Sequence, residues 1–125
     1  MAGRAIDLVK MKLYAIGDVS FGDQPLCFGF GVLSKAISDG YEDLFAAVSG
    51  LWDEDDIVFA NLEGVIDLET PNGTDAFENR INRGLIHAAG ALRRAGINLV
   101  SLSNNHVLDH GTAALEATAT VLDTC

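Results

Sequence analysis

Ile97-Asn98-Leu99-Val100-Ser101-Leu102-Ser103-Asn104-Asn105-His106 is the stretch that decides how this chain folds. Leu99, Val100 and Leu102 make an apolar run with little alternation, the pattern of a parallel strand covered on both faces. The run empties into Asn104, Asn105 and His106, side chains that can bind a metal or a phosphoryl oxygen. In open α/β sheets ligands bind at the carboxyl ends of strands, so these three stand where a site is expected. Two earlier runs end the same way, residues 13–16 at Gly17-Asp18 and residues 57–60 at Asn61-Leu62-Glu63. The expectation is three parallel, adjacent strands near residues 12–17, 57–61 and 98–102, with Asp18, Asn61, Glu63, Asn105 and His106 converging at one edge.

Between the strands the periodicity changes from strand to helix. Leu44, Phe45, Val48, Leu51 and Trp52 recur at helical spacing, which predicts an amphipathic helix over residues 41–52 that starts at Asp39-Gly40. Residues 85–95 predict a second helix, with Gly96 as its C-cap, and residues 111–124 a third, with Leu115, Thr118 and Leu122 as its buried stripe. Phe21-Gly22-Asp23-Gln24-Pro25-Leu26-Cys27-Phe28-Gly29-Phe30-Gly31 has no helical period and reads as a loop over the strand ends. Residues 67–82 read as a polar loop with a turn at Thr70-Pro71-Asn72-Gly73. The acidic Asp53-Glu54-Asp55-Asp56 lacks the ligand spacing of a calcium loop and reads as a solvated turn. The result is an α/β fold, a β-α-β-α-β-α unit with parallel strands in one domain over residues 12–125, after a disordered lead-in at 1–11.

Composition narrows the function. The 125 residues carry 8 Lys+Arg against 18 Asp+Glu, a formal net charge of −10, and 49% hydrophobic residues. Such a balance argues against nucleic acid or an anionic membrane as partner. Cys27 and Cys125 form no ligand or disulfide spacing, so a reducing compartment is expected. Asp7 and Lys10 interrupt the first apolar stretch, which is too short for a secretory signal or a membrane span, and a cytoplasmic location follows.

Three motifs, taken in order, carry a resemblance: Ala15-Ile16-Gly17-Asp18-Val19-Ser20-Phe21-Gly22, then Asp56-Ile57-Val58-Phe59-Ala60-Asn61-Leu62-Glu63, then residues 95–111 with Ser103-Asn104-Asn105-His106-Val107-Leu108-Asp109-His110-Gly111. Together they resemble the poly-γ-glutamate capsule-synthesis proteins of the CapA type, a branch of the calcineurin-like metallophosphoesterases. The resemblance implies the amino-terminal part of a four-layer α/β sandwich. It also implies two divalent cations (Mn, Fe or Zn), about 3.5–4 Å apart in an intact site, activating water for attack on phosphorus. By resemblance Asp18 ligates the first metal, Glu63 stands at the bridging position, Asn105 ligates the second metal, and His106 faces the phosphoryl group, while Asn61 joins the metal set.

Residue chemistry adds three candidates. Asp109, three residues after His106, is placed to orient that imidazole, although an Asp here also suits a helix start. Arg80 and Arg83 are candidate clamps for an anionic small-molecule or polymer substrate. Against the family pattern, Ser20 stands where the first motif usually has histidine, and the later histidine motifs are not in these 125 residues; His87 and His110 are poor substitutes. Two readings therefore stand beside a phosphoesterase acting with capsule-synthesis proteins. One is a catalytically incomplete or assembly protein; the other, a nucleotide-binding α/β module, lacks the G-x-G-x-x-G loop.

Overall fold

The computed structural model describes residues 10–69 and 77–125. Strands β1 (Leu13–Val19), β2 (Ile57–Leu62) and β5 (Leu99–Ser101) form one parallel sheet in the order β1-β2-β5. These are the three strands expected from sequence, adjacent and parallel. Two further short strands, β3 (Val65–Leu68) and β4 (Arg83–Leu85), pair in parallel as a second sheet at the two ends of the stretch 67–82 that reads as polar loop. Helices α1 (Val32–Asp39), α2 (Ala88–Arg94) and α3 (Gly111–Asp123) complete the fold. The expected turn at residues 70–73 and the lead-in before residue 10 lie outside the described residues.

Side chains of β2 alternate strictly. Val58, Ala60 and Leu62 are buried and share one core with Leu33 and Ala36 of α1, Ala88, Ala91 and Leu92 of α2, and Ile97. Each aliphatic side chain of Val or Leu size buried there contributes about 1.5–3 kcal/mol. The opposite face is open: Leu13 is 68% exposed and Leu99 50%, while Ile57 and Phe59 are half-buried. Register places Leu13 beside Ile57 and Leu99 beside Phe59, so these residues make one apolar surface.

The helix expected over residues 41–52 is a correction. The segment is a chain of turns closed mainly by bonds of the 3₁₀ kind, such as Leu44 N–H to Tyr41 O and Val48 N–H to Phe45 O. Its stripe has too little to bury against, since Leu44 and Leu51 stay exposed, and propagation needs tertiary packing. Trp52 still anchors the segment by donating its Nε1–H to Ala95 O at 2.8 Å. The first regular helix is α1, and Gly40 ends it instead of starting the next. The second helix begins later than expected, because Leu85 belongs to β4, and Gly96 follows its C-cap Ala95. Helix α3 agrees closely with expectation; buried Thr118 accepts the Ile66 N–H at 2.9 Å and so fastens α3 to β3.

Candidate functional site

Backbone geometry at the end of β1 comes first. Ala15 pairs with Phe59 but Asp18 pairs with Asn61, so β1 spends one residue more than β2 over the same length, which is a bulge. Gly17 absorbs it at φ +84°, in the left-handed region that glycine enters without a steric penalty. The bulge re-aims Asp18 across the strand ends, and its Oδ1 accepts a hydrogen bond from Asn61 Nδ2 at 2.8 Å. Asn61 is itself level with Ser101 of β5.

The loop after β5 brings the remaining groups. Asn104 Nδ2 donates to Leu62 O at 2.8 Å and to Asn61 Oδ1 at 3.3 Å, and Asn104 Oδ1 accepts the His106 backbone N–H at 3.1 Å. His106 Nδ1 lies 2.8 Å from Asp109 Oδ2, and its Nε2 lies 3.7 Å from Glu63 Oε1. A carboxylate only accepts, so Nδ1 carries the proton towards Asp109 and Nε2 is the free ring position that faces Glu63. The hydrogen bond from His106, with a second from Asn82, holds the Asp109 carboxyl below its ordinary range. Asp109 does not cap α3; His110 is the N-cap residue.

Asn82 supports Asp109 from the other side, donating from Nδ2 at 3.4 Å while its Oδ1 accepts from Gln24 Nε2 at 2.8 Å. It is buried and is the non-glycine residue with positive φ, +52°, among the described residues. Gly64, at φ +86°, lies so close that a Cβ there would stand 2.0 Å from the Asn82 carbonyl oxygen.

The structure thus links Asp18 to Asn61, and Glu63 to His106 and Asp109. Asn105 is exposed beside them. The two arginines are engaged internally. Arg80 is buried, with Nη2 2.6 Å from Ser34 Oγ and 3.5 Å from Asp23 Oδ2, and its guanidinium lies over the Phe28 ring. Arg83 makes a two-pronged pair with Asp67, both contacts 2.6 Å. His87 is exposed at the start of α2. His110 donates from Nε2 to Ile81 O at 2.7 Å. Asn82 is the residue that sequence reading passed over, with no signal to find it; Asn104, named with Asn105 and His106 at the end of the third run, had no role of its own there. A groove of about 850 Å³ lies elsewhere, between Trp52, Arg94, Leu99 and Leu122, and none of the site side chains lines it.

With this geometry in hand, comparison with known proteins is decisive for ancestry. The profile of the Bacterial capsule synthesis protein PGA_cap family matches residues 12–124. This chain belongs to that family. Family membership brings the calcineurin-like α/β fold, in keeping with the parallel sheet. Two curated relatives come from Sinorhizobium fredii (strain NBRC 101917 / NGR234): "Uncharacterized protein y4uA", 28% identical, and "Uncharacterized protein y4sH", 27% identical, each over 114 residues. Either alignment covers 89% of this chain and 22% of the relative, so the chain spans about a fifth of the length of the curated relatives it matches. No solved structure gives a significant match. No helix among the described residues is long and apolar enough to cross a membrane.

The donor types suit a divalent cation: the carboxylates of Asp18 and Glu63, the Asn105 amide and one imidazole nitrogen form a set that transition metals take. The number of strong ligands is small. Among the described residues no three His, Cys, Asp or Glu side chains stand together as a metal-binding group.

Proposed function

We propose that this capsule-synthesis family chain carries part of a cytoplasmic, metal-assisted phosphoester-hydrolysing site that serves production of an anionic capsule polymer of the poly-γ-glutamate kind. The observation that supports the reading is the hydrogen-bonded succession at the sheet's carboxyl edge, Asp18 with Asn61, and Glu63 beside the His106–Asp109 couple. Asp18, Glu63 and Asn105 would hold Mn²⁺, Fe or Zn²⁺, with Asn61 supporting Asp18. A bound cation supplies polarisation of a phosphoryl oxygen and a water of lowered pKa. Asp109 keeps the His106 proton on Nδ1 and stabilises the ring when Nε2 also becomes protonated. His106 Nε2 then moves a proton to the leaving oxygen. With few strong ligands in this chain, a cation retains several waters and binds weakly.

Calorimetric titration with Mn²⁺ tests the metal assignment. Wild type should give a saturable heat that falls in Asp18→Ala and Glu63→Ala; equal heats in all three proteins remove it. A second reading is an assembly protein that keeps the fold without hydrolysis. Ser20 at the usual histidine position and the lack of a three-ligand group among the described residues favour it. Turnover of a generic phosphodiester with added Mn²⁺ separates the two.

A further inference from the structure

We infer that Asn104 is the orientation lock of the site, a positioning residue that fixes which way Asn61 faces and through it holds Asp18. Two backbone groups beside Asn104 have roles that cannot change. The Leu62 carbonyl only accepts, so the Asn104 NH₂ must face it at 2.8 Å; the His106 N–H only donates, so Asn104 Oδ1 must face it at 3.1 Å. Both ends of the Asn104 amide are therefore assigned, and it cannot turn over. Its second N–H meets Asn61 at 3.3 Å, so the Asn61 atom there must be oxygen. That leaves the Asn61 NH₂ pointing at Asp18, where it donates at 2.8 Å.

Two consequences follow from this ordering. Asp18 Oδ1 receives a donor from a group that cannot rotate away, so the carboxylate is held in one orientation with Oδ2 clear of that bond. The same Asn104 side chain also sets the backbone at His106, so the Asp18 end and the His106 end of the site are joined through one amide. A turned Asn61 would set oxygen against the Asp18 carboxylate and break the link. Partners that orient a metal ligand typically govern about 10–100-fold in affinity. The metal consequence rests on the function proposed above; the lock itself does not.

NMR on the metal-free protein reads the lock directly. In wild type the Asn61 side-chain NH₂ should show NOEs to the Asp18 β-protons. Asn104→Asp is isosteric and keeps the acceptor for His106 N–H but places oxygen opposite both Leu62 O and Asn61 Oδ1; Asn61 should turn, and the NOEs to Asp18 should vanish while the rest of the spectrum keeps its dispersion. Unchanged NOEs in this variant overturn the proposal. So does a wild-type spectrum in which the Asn61 NH₂ contacts residue 104 instead of Asp18, a result that needs no variant to fold. With Mn²⁺, Asn104→Ala should bind at least tenfold more weakly than wild type. Loss of the NOEs in Asn104→Asp, together with a wild type that shows them but binds no Mn²⁺, would support the lock and refute the proposed function.

Discussion

Asp23→Ala should be among the most damaging single substitutions in the chain, and the reason is a count of what one carboxylate holds. Asp23 is fully buried. Its Oδ1 accepts the Ser34 N–H at 3.0 Å; its Oδ2 accepts the Ser34 hydroxyl and the Gly29 N–H at 3.3 Å, and lies 3.5 Å from Arg80 Nη2. Its backbone also pairs with the segment that carries Asn82: Asp23 N–H donates to Arg80 O at 3.0 Å and Asn82 N–H to Asp23 O at 3.2 Å. Truncation leaves the Arg80 charge buried without its counter-ion, beside an Nε that already has no hydrogen-bond partner among the described residues. Removing one member of a buried pair costs about 3–5 kcal/mol. Urea unfolding followed by circular dichroism, with a common m-value, measures it. Asp23→Ala together with Arg80→Met should recover part of the loss, since no charge is then left unpaired. A loss below about 1 kcal/mol for Asp23→Ala, or a double variant worse than the single, would refute the account.

Other outcomes follow from the same geometry. Gly64→Ala sets a methyl against the Asn82 carbonyl in a left-handed conformation and should lower stability by more than about 1 kcal/mol by urea unfolding. Asn82→Gly keeps the positive φ while removing the amide; it should therefore retain more stability than Asn82→Ala, and both should shift the His106 ring resonances. Asp56, bonded by the backbone N–H groups of Asp53 and Lys12, and Asp109, bonded by His106, both have carboxyl groups held below their ordinary value of 3.8. A depressed carboxylate contributes its stability above that value and loses it as pH falls through the lowered folded pKa. Thermal stability should thus drop below about pH 4, and less steeply in Asp109→Asn. Leu13→Lys with Leu99→Lys on the open sheet face should reduce binding of a hydrophobic dye and self-association, with a stability change within about 0.5 kcal/mol for each.

Sequence carried the sheet well because three apolar runs, each closed by a polar group, are a one-dimensional record of burial and strand end. It carried the helices less well. The stripe at Leu44, Phe45, Val48 and Leu51 has helical spacing, yet spacing only offers a face, and packing decides whether the face is used. Strands β3 and β4 were illegible for the opposite reason: four and three residues long, neither sits in an apolar run like the one around β5, and β4 follows Asn82 with Arg83 and Gly84. At the site, Asp18, Glu63 and His106 announced themselves through position after strands. Asp109 showed its spacing to His106 but not whether it would cap α3 or hold the ring. Arg80 looked like an exposed loop cation because its partner, Asp23, is remote in sequence and its burial is a tertiary fact.

The bond from the Ile66 N–H to the Thr118 hydroxyl spans 52 positions, and it imposes an order on synthesis. When β3 leaves the ribosome its mate in α3 has not been translated, and at 5–20 residues per second the wait is about 3–10 s. During that interval the β3 amide and the apolar side that α3 will cover face water and the chaperones of the cell. The β1-β2 pair, complete by residue 62, has no such delay. A nascent chain stalled before residue 118 should therefore hold its first two strands while β3 remains open to proteolysis, and release of α3 should close it in a single step.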